Sequence, residues 1–209
     1  MKPNVILLLA LATMLAGCAG WAARRDAATT LRQNTAMWRA FRLEGLATIE
    51  SKGMSLHSEV VLRKNDGKLR IDVLDKGLFA AGGSPMAIIY VDTLVVAKIW
   101  GQTDVEPLTE DYRLLCLPGE LLDSFASDHL QEIVNTRAVA LNETFTVHFD
   151  KAYRLSGLSF ADGTAANVTY TPAGKLATLE IISKENDRLL IEIDDFTPGP
   201  VDVPPLPLP

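Results

Sequence analysis

The chain has 209 residues, 48% of them hydrophobic, with 26 acidic against 20 basic side chains and a net charge of −6. That length supports one domain with a sizeable core and is short for two. The acidic balance lacks the basic face that nucleic acid requires, so no nucleic-acid partner is expected.

The first stretch, Met1–Trp21, places one lysine (Lys2) before an apolar run, Val5–Leu15, that ends in Leu15-Ala16-Gly17-Cys18. The charged start, short apolar centre and small-residue exit make a secretory signal. The run is too short for a membrane span, which takes roughly 20 residues as a helix. Leu-Ala-Gly-Cys resembles the lipobox of bacterial lipoproteins, which implies cleavage after residue 17 and acylation of Cys18. Two or three acyl chains anchor a protein almost permanently, whereas one binds marginally. The bland alternative is an ordinary secretion signal with an incidental cysteine. Ala19 stands where an aspartate would resemble an inner-membrane retention signal, so the expected address is the bacterial outer membrane, facing the periplasm. With Cys18 acylated, Cys116 has no partner, and the fold must rest on packing rather than a disulfide.

From Ala22 to Phe41 the pattern predicts a helix, with Leu31, Met37, Trp38 and Phe41 at roughly helical spacing. Thr29 and Thr30 are alternative caps for a shorter helix, with residues 18–30 as tether. The period then changes to two. Arg42–Glu50, Leu56–Lys64 and Lys68–Asp75 each alternate, and Asn65-Asp66-Gly67 is a hairpin turn. Three such strands make an antiparallel meander with one wet face. Lys76–Pro85 (KGLFAAGGSP) is a glycine-rich connection carrying Leu78 and Phe79. These two either fold back onto the core or project into lipid or a partner.

Met86–Val91 and Leu94–Trp100 are further strands, the first apolar on both sides so that its facing stays open. Gln102–Tyr112 reads as a polar loop. Leu117-Pro118-Gly119-Glu120 introduces a helix through Phe125. Asp128–Ala140 is a short helix or an irregular link. Strand patterns resume at Thr144–Asp150, Arg154–Phe160, Ala166–Thr171, Leu176–Ser183 and Arg188–Phe196. The proline-rich tail, 197–209, is too rich in proline for sheet or helix and is expected to be extended, as a spacer or a frayed end.

The expected fold is therefore mainly β (α+β): a strongly curved antiparallel sheet of about ten strands, with helices covering its concave face. The lipobox, the aromatic-ended helix (Trp38, Phe41) and Phe41-Arg42-Leu43-Glu44-Gly45 running into a meander resemble the LolA/LolB family of lipoprotein carriers. The Leu117–Phe125 helix and the closing hairpin, Leu179-Glu180-Ile181 with Leu189–Ile193, are similar to that family's corresponding parts. The resemblance covers about residues 31–196.

It implies an incomplete barrel whose hydrophobic cavity holds acyl chains of a lipoprotein or other lipid for transfer to the outer membrane. A periplasmic LolA-like carrier is then the implied partner, and no cofactor is implied. Inward residues Leu43, Gly45, Ala47, Ile49, Val60, Leu62, Ile71, Val73, Val95, Ala97 and Ile99 become the expected cavity lining. The small ones among them leave space, and a barrel of this size either packs its interior or holds one ligand. The resemblance also makes Leu78 and Phe79 the expected membrane-insertion loop.

Catalysis has little support. His57, His129 and His148 lie on separate elements, with no catalytic or metal-ligand spacing around them. The alternative to a carrier is a non-catalytic structural or assembly lipoprotein with a packed half-barrel, bound to a cell-envelope complex.

Overall fold

The computed structural model describes residues 25–74, 85–107, 124–125, 127–143 and 145–206. Cys18, Leu78, Phe79 and Cys116 lie outside the described residues, as does the Leu117–Phe125 helix except for its last two residues.

Alternation of side chains along the chain is expressed as twelve strands among the described residues: β1 (Ala40–Ser51), β2 (Met54–Asn65), β3 (Lys68–Leu74), β4 (Pro85–Val91), β5 (Leu94–Ile99), β6 (Gln102–Pro107), β7 (Ala138–Asn142), β8 (Phe145–Phe149), β9 (Leu155–Phe160), β10 (Ala165–Tyr170), β11 (Leu176–Ile182) and β12 (Arg188–Pro198). They form one curved, open antiparallel sheet in the order β6-β5-β4-β3-β2-β1-β12-β11-β10-β9-β8-β7. Every neighbour is a hairpin partner in sequence except one pair. β1 and β12 join the two six-strand meanders through a ladder running from Phe41↔Pro198 to Glu50↔Arg188.

Two elements differ from expectation in the same way. Gln102–Pro107 is a strand rather than a loop, and β7 begins where a link was an alternative. Both are the outermost strands of the sheet. β6 is exposed along its whole length, so it carries Asp104, Glu106 and Pro107 instead of a buried apolar stripe. Charge and proline on an edge strand discourage pairing with another chain, and they also hide the strand from a hydrophobicity pattern.

The leading helix, α1, covers residues 25–36 and buries Ala27, Leu31 and Thr35, one residue per turn. It stops before Phe41, which lies in β1 instead. Trp38 N–H donates to the Thr35 carbonyl (3.0 Å) and Arg39 N–H to Ala36 (3.2 Å), a tightened last turn. The buried Lys64 ammonium on β2 then reaches the Trp38 carbonyl at 2.8 Å, placing a cation at the helix C-terminus where the dipole favours it. Thr29 and Thr30 are not caps, because their hydroxyls bond the Arg25 and Asp26 carbonyls one turn back inside the helix. A second helix, α2 (Leu130–Thr136), ends at Arg137 in the left-handed conformation, φ 61°.

Leu31 and Ile133 bring α1 and α2 onto Val139, Phe145, Val147 and Phe149, which fills the β7–β9 end of the concave side. Beside it, Phe41, Leu43, Ala47, Val60, Leu62, Val168, Leu176 and Ile191 form a second cluster, closed over by Trp38, Tyr170 and Phe196. Trp38, Phe41 and Phe196 meet with ring centroids 5.4–5.9 Å apart.

The tail is neither spacer nor frayed end over residues 199–206. Val203 and Leu206 are buried on the convex side against Tyr90 and Val96. Asn65 donates to the Val201 carbonyl (2.9 Å), and Arg70 to that of Pro204 (2.8 Å). Proline-rich chain that is already extended loses little further entropy on docking. This strap explains why β4 is apolar on both sides: Ala87, Ile89 and Val91 face in, while Ile88 and Tyr90 lie beneath the tail. Arg70 also bonds the buried carboxylate of Asp72 (2.9 Å), which Arg63 holds from the other side. Removing residues 200–209 should therefore cost roughly 3 kcal/mol, from the burial of two aliphatic side chains. Urea unfolding of the shortened chain reads this as a lowered midpoint, and an unchanged midpoint would show that the strap carries no stability.

Candidate functional site

The register decides which side chains share a face, because a one-residue slip sends every side chain to the other side. Leu43 pairs with Leu62, Leu62 with Ile71, Ile71 with Ile89 and Ile89 with Ala97. Gly45 pairs with Val60 and Val60 with Val73, Val73 with Ala87 and Ala87 with Ile99. Ala47, Ile49 and Val95 fall on the same side by the same count. All eleven residues expected on the inner wall thus occupy one face, the one toward which the helices pack.

Their surroundings differ along that face. Leu43, Ala47, Val60, Leu62 and Val95 are buried among other side chains. Ile71, Val73 and Ala97 are half-buried. Ile49 (39% exposed) and Ile99 (47%) are open to solvent, as is Leu56 (46%), the partner of Ile49. The apolar wall is therefore packed at the seam with β12 and at the Leu69–Val91–Val95 end of β3–β5, and exposed at the other end, at Ile49, Leu56 and Ile99. Ala87 and Ile89 lie half-buried on the same face. Sequence alone left them unassigned, because β4 has no polar side to mark its facing.

Gly45 has a different reason for its size than the one expected. A Cβ there would stand 2.2 Å from the Glu192 carbonyl oxygen of β12. The register slips between Glu44 and Gly45, so Asp194 has no opposite number on β1. Such a bulge bends a sheet and brings backbone close to backbone. Gly45 makes room for the neighbouring strand rather than for a guest.

At the opposite end of the strands, Asp150 organises the turn on which α1 rests. Its carboxylate accepts from the N–H groups of Ala152 (2.8 Å) and Arg154 (2.9 Å) and from Arg154 Nε (2.7 Å). Asn34 of α1 donates to the Ala152 carbonyl (2.9 Å). The Arg154 guanidinium lies 4.1 Å from the centre of the Tyr170 ring, and the Tyr170 hydroxyl donates to the Leu155 carbonyl (2.8 Å). Burial pushes that hydroxyl up to about 12, so it stays a donor at any ordinary pH.

The three histidines sit apart. His57 lies between Thr48 (2.9 Å) and Ser55 (3.4 Å), His148 bonds Ser159 (2.8 Å), and His129 stands 3.4 Å from Glu132. Among the described residues, no group of His, Cys, Asp and Glu is arranged to hold a metal. A depression of about 310 Å³ at the β1–β2 turn, lined by polar residues including Glu50, Lys52, Ser55 and Asn186, lies outside the apolar strip.

No protein-family model matches the chain, and no curated protein matches it. Among solved structures, a LolA superfamily protein from Nitrosomonas europaea is similar, with 8% identity and a TM-score of 0.44. The likeness covers 84% of this chain and 94% of that one. A putative outer membrane lipoprotein-sorting protein domain from Vibrio parahaemolyticus is similar at 11% identity and a TM-score of 0.46, over 83% and 92% of the two chains. Superpositions this loose carry no argument about function.

Partial burial works to raise the Asp150 carboxyl, but hydrogen bonds and charge from Arg154, with the Ala152 N–H, outweigh it and hold the group below its ordinary 3.8. A lowered carboxyl stabilises the fold above its unfolded value, and that contribution is lost as pH falls through the folded value. Asp150→Asn should cost on the order of 1 kcal/mol at pH 7. Its deficit against the native chain should shrink as urea titrations are taken from pH 4 toward pH 2. A deficit that stays constant over that interval would refute the assignment.

Proposed function

We propose that the chain is a membrane-tethered lipoprotein that receives acyl chains of a lipoprotein or another lipid on the concave side of its sheet. Cys18 carries the anchor, and the address is the bacterial outer membrane, facing the periplasm. The observation that supports this reading most directly is the apolar strip at one end of the concave face, with Ile49, Leu56 and Ile99 exposed and Val73 and Ala97 half-buried, on a face that elsewhere is packed. Water gains little by wetting such a strip, and an apolar guest restores the dispersion contacts that the strip lacks. Small residues at Ala87 and Ala97 give the guest depth. The resemblance of the sequence to the LolA/LolB carriers points the same way. It makes a periplasmic LolA-like protein the donor of cargo and makes Leu78 and Phe79 the loop that delivers it.

A second reading draws on the packed half. Leu43, Ala47 and Val60 are each buried to 4% exposure or less among neighbouring side chains. That filling suits a structural lipoprotein of an envelope complex, for which the uncovered strip is a protein contact.

Native mass spectrometry of the full chain extracted from its own membrane separates the two. The carrier reading expects co-purifying lipid of acyl-chain mass, reduced several-fold by Ala97→Trp, which plugs the strip. Lipid-free protein, or lipid retained unchanged by that variant, overturns it. The double variant Leu78→Asp, Phe79→Asp should keep the native circular dichroism spectrum and the bound lipid but lose transfer of cargo to vesicles. An unfolded variant would place those residues in the core instead.

A further inference from the structure

The strand register puts the β1–β2 turn and the β5–β6 turn at the same end of the sheet, since Ser51 pairs with Met54, Leu74 with Pro85 and Ile99 with Gln102. Each turn presents a large apolar side chain to water: Met54 is 73% exposed and Trp100 81%. Trp100 is also in the left-handed conformation (φ 46°), ahead of Gly101 (φ 84°). Asparagine or glycine is the ordinary choice at that position, and a bulky side chain costs about 1 kcal/mol more there. In water, then, both the exposure and the backbone of Trp100 are unfavourable. A partner that takes up the indole compensates both.

We propose that this end of the sheet is a docking rim for an anionic lipid surface, with Trp100 and Met54 entering the headgroup layer. Three features select lipid over protein. Tryptophan favours the headgroup boundary because its ring is apolar while its N–H still finds a polar partner. The two tips project from β2 and β5, three strands and thus about 14 Å apart, at about 4.8 Å per strand. A stable protein interface needs a continuous surface of about 800 Å² on each side, whereas fluid headgroups close around separate projections. Charge complements the tips. Lys52 lies in the first turn and Lys98 two residues before Trp100, and neither has an anionic partner among the described residues. On this β1–β6 side of the rim Glu50 is paired with Arg188. Lys184 pairs with Glu185 on the β7–β12 side, where the acidic Glu143, Asp162 and Asp187 also lie, so the cationic part of the rim is the part that carries the two tips.

The inference deepens the tethered-carrier reading, resting on its membrane attachment and not on acyl binding. The test uses the full lipidated chain with Trp21→Phe, which removes the tryptophan near Cys18 and leaves Trp38, half-buried against Phe41 and Phe196, as the internal standard. It is reconstituted in vesicles of phosphatidylethanolamine and phosphatidylglycerol, with or without brominated acyl chains. Contact quenching should remove part of the tryptophan emission in brominated vesicles, and Trp100→Phe should abolish that loss. Lys52→Gln with Lys98→Gln should reduce it. Protein that floats with the vesicles but shows no loss overturns the rim alone, and protein that does not float overturns rim and tether together. A loss unaffected by the lysine changes overturns their role at the headgroups. A vesicle-free dimer that Trp100→Ser dissociates gives the rim to a second copy and overturns the lipid assignment.

Discussion

The pairing of β1 with β12 is the constraint on which everything else depends. Each meander can form from local hairpins, β1 through β6 in one and β7 through β12 in the other. Neither buries a complete face alone, because the central cluster draws Phe41, Leu43, Ala47, Val60 and Leu62 from the first and Val168, Leu176 and Ile191 from the second. Bringing residues near 45 and 193 together closes a loop of most of the chain, an entropic cost that grows slowly with length but must be met before the contacts form. Such non-local pairing makes folding slow relative to its hairpins. The seam also shapes the product. The bulge at Gly45 bends the sheet where the two meanders meet, and a side chain at that position would collide with the Glu192 carbonyl.

Much of this was legible in the residues. Leu69, Ile71 and Val73 alternate with Lys68, Arg70 and Asp72, and β3 places them on opposite faces as that alternation requires. The same holds for the inner set on β1, β2 and β5. What escaped the pattern did so for identifiable reasons. β6 is an exposed edge and so carries no buried stripe to recognise. Phe41 keeps helical spacing from Met37 and Trp38, yet it also alternates with Leu43 and Gly45, and the strand period prevailed because β12 and β2 flank it. The tail gave no sign of docking, since its partners are Tyr90 and Val96 on a distant strand pair. The one available hint was β4 itself, whose second apolar side needed a cover.

Gly45 shows how a correct assignment of facing can carry a wrong reason. Placing it on the inner wall follows from alternation alone. Treating its small size as room for a ligand does not follow, because sequence does not reveal which strand lies alongside. The exposed part of the wall is instead the end at Ile49, Leu56 and Ile99.

Among the described residues, the helices rest on one end of the concave side and leave Ile49, Leu56 and Ile99 exposed at another. α1 and α2 bring Leu31 and Ile133 onto β7–β9, and Asp150 and Lys64 fix α1 at its C-terminal end. Buried packing thereby covers β7–β9 and the seam, and β3–β5 carry clusters of their own on both faces. The first meander is held on its convex side by the strap and by the Arg63–Asp72–Arg70 cluster, and on its concave side by the buried Leu43, Val60 and Leu62 and by Leu69, Val91 and Val95. A sheet stabilised from behind can keep part of an apolar front uncovered without losing its register. The strap and the buried carboxylate of Asp72 thus add, on the convex side of β2–β5, to the packing that Val60, Leu62, Leu69, Val91 and Val95 supply on the concave side, while Ile49, Leu56 and Ile99 at one end of that wall stay exposed.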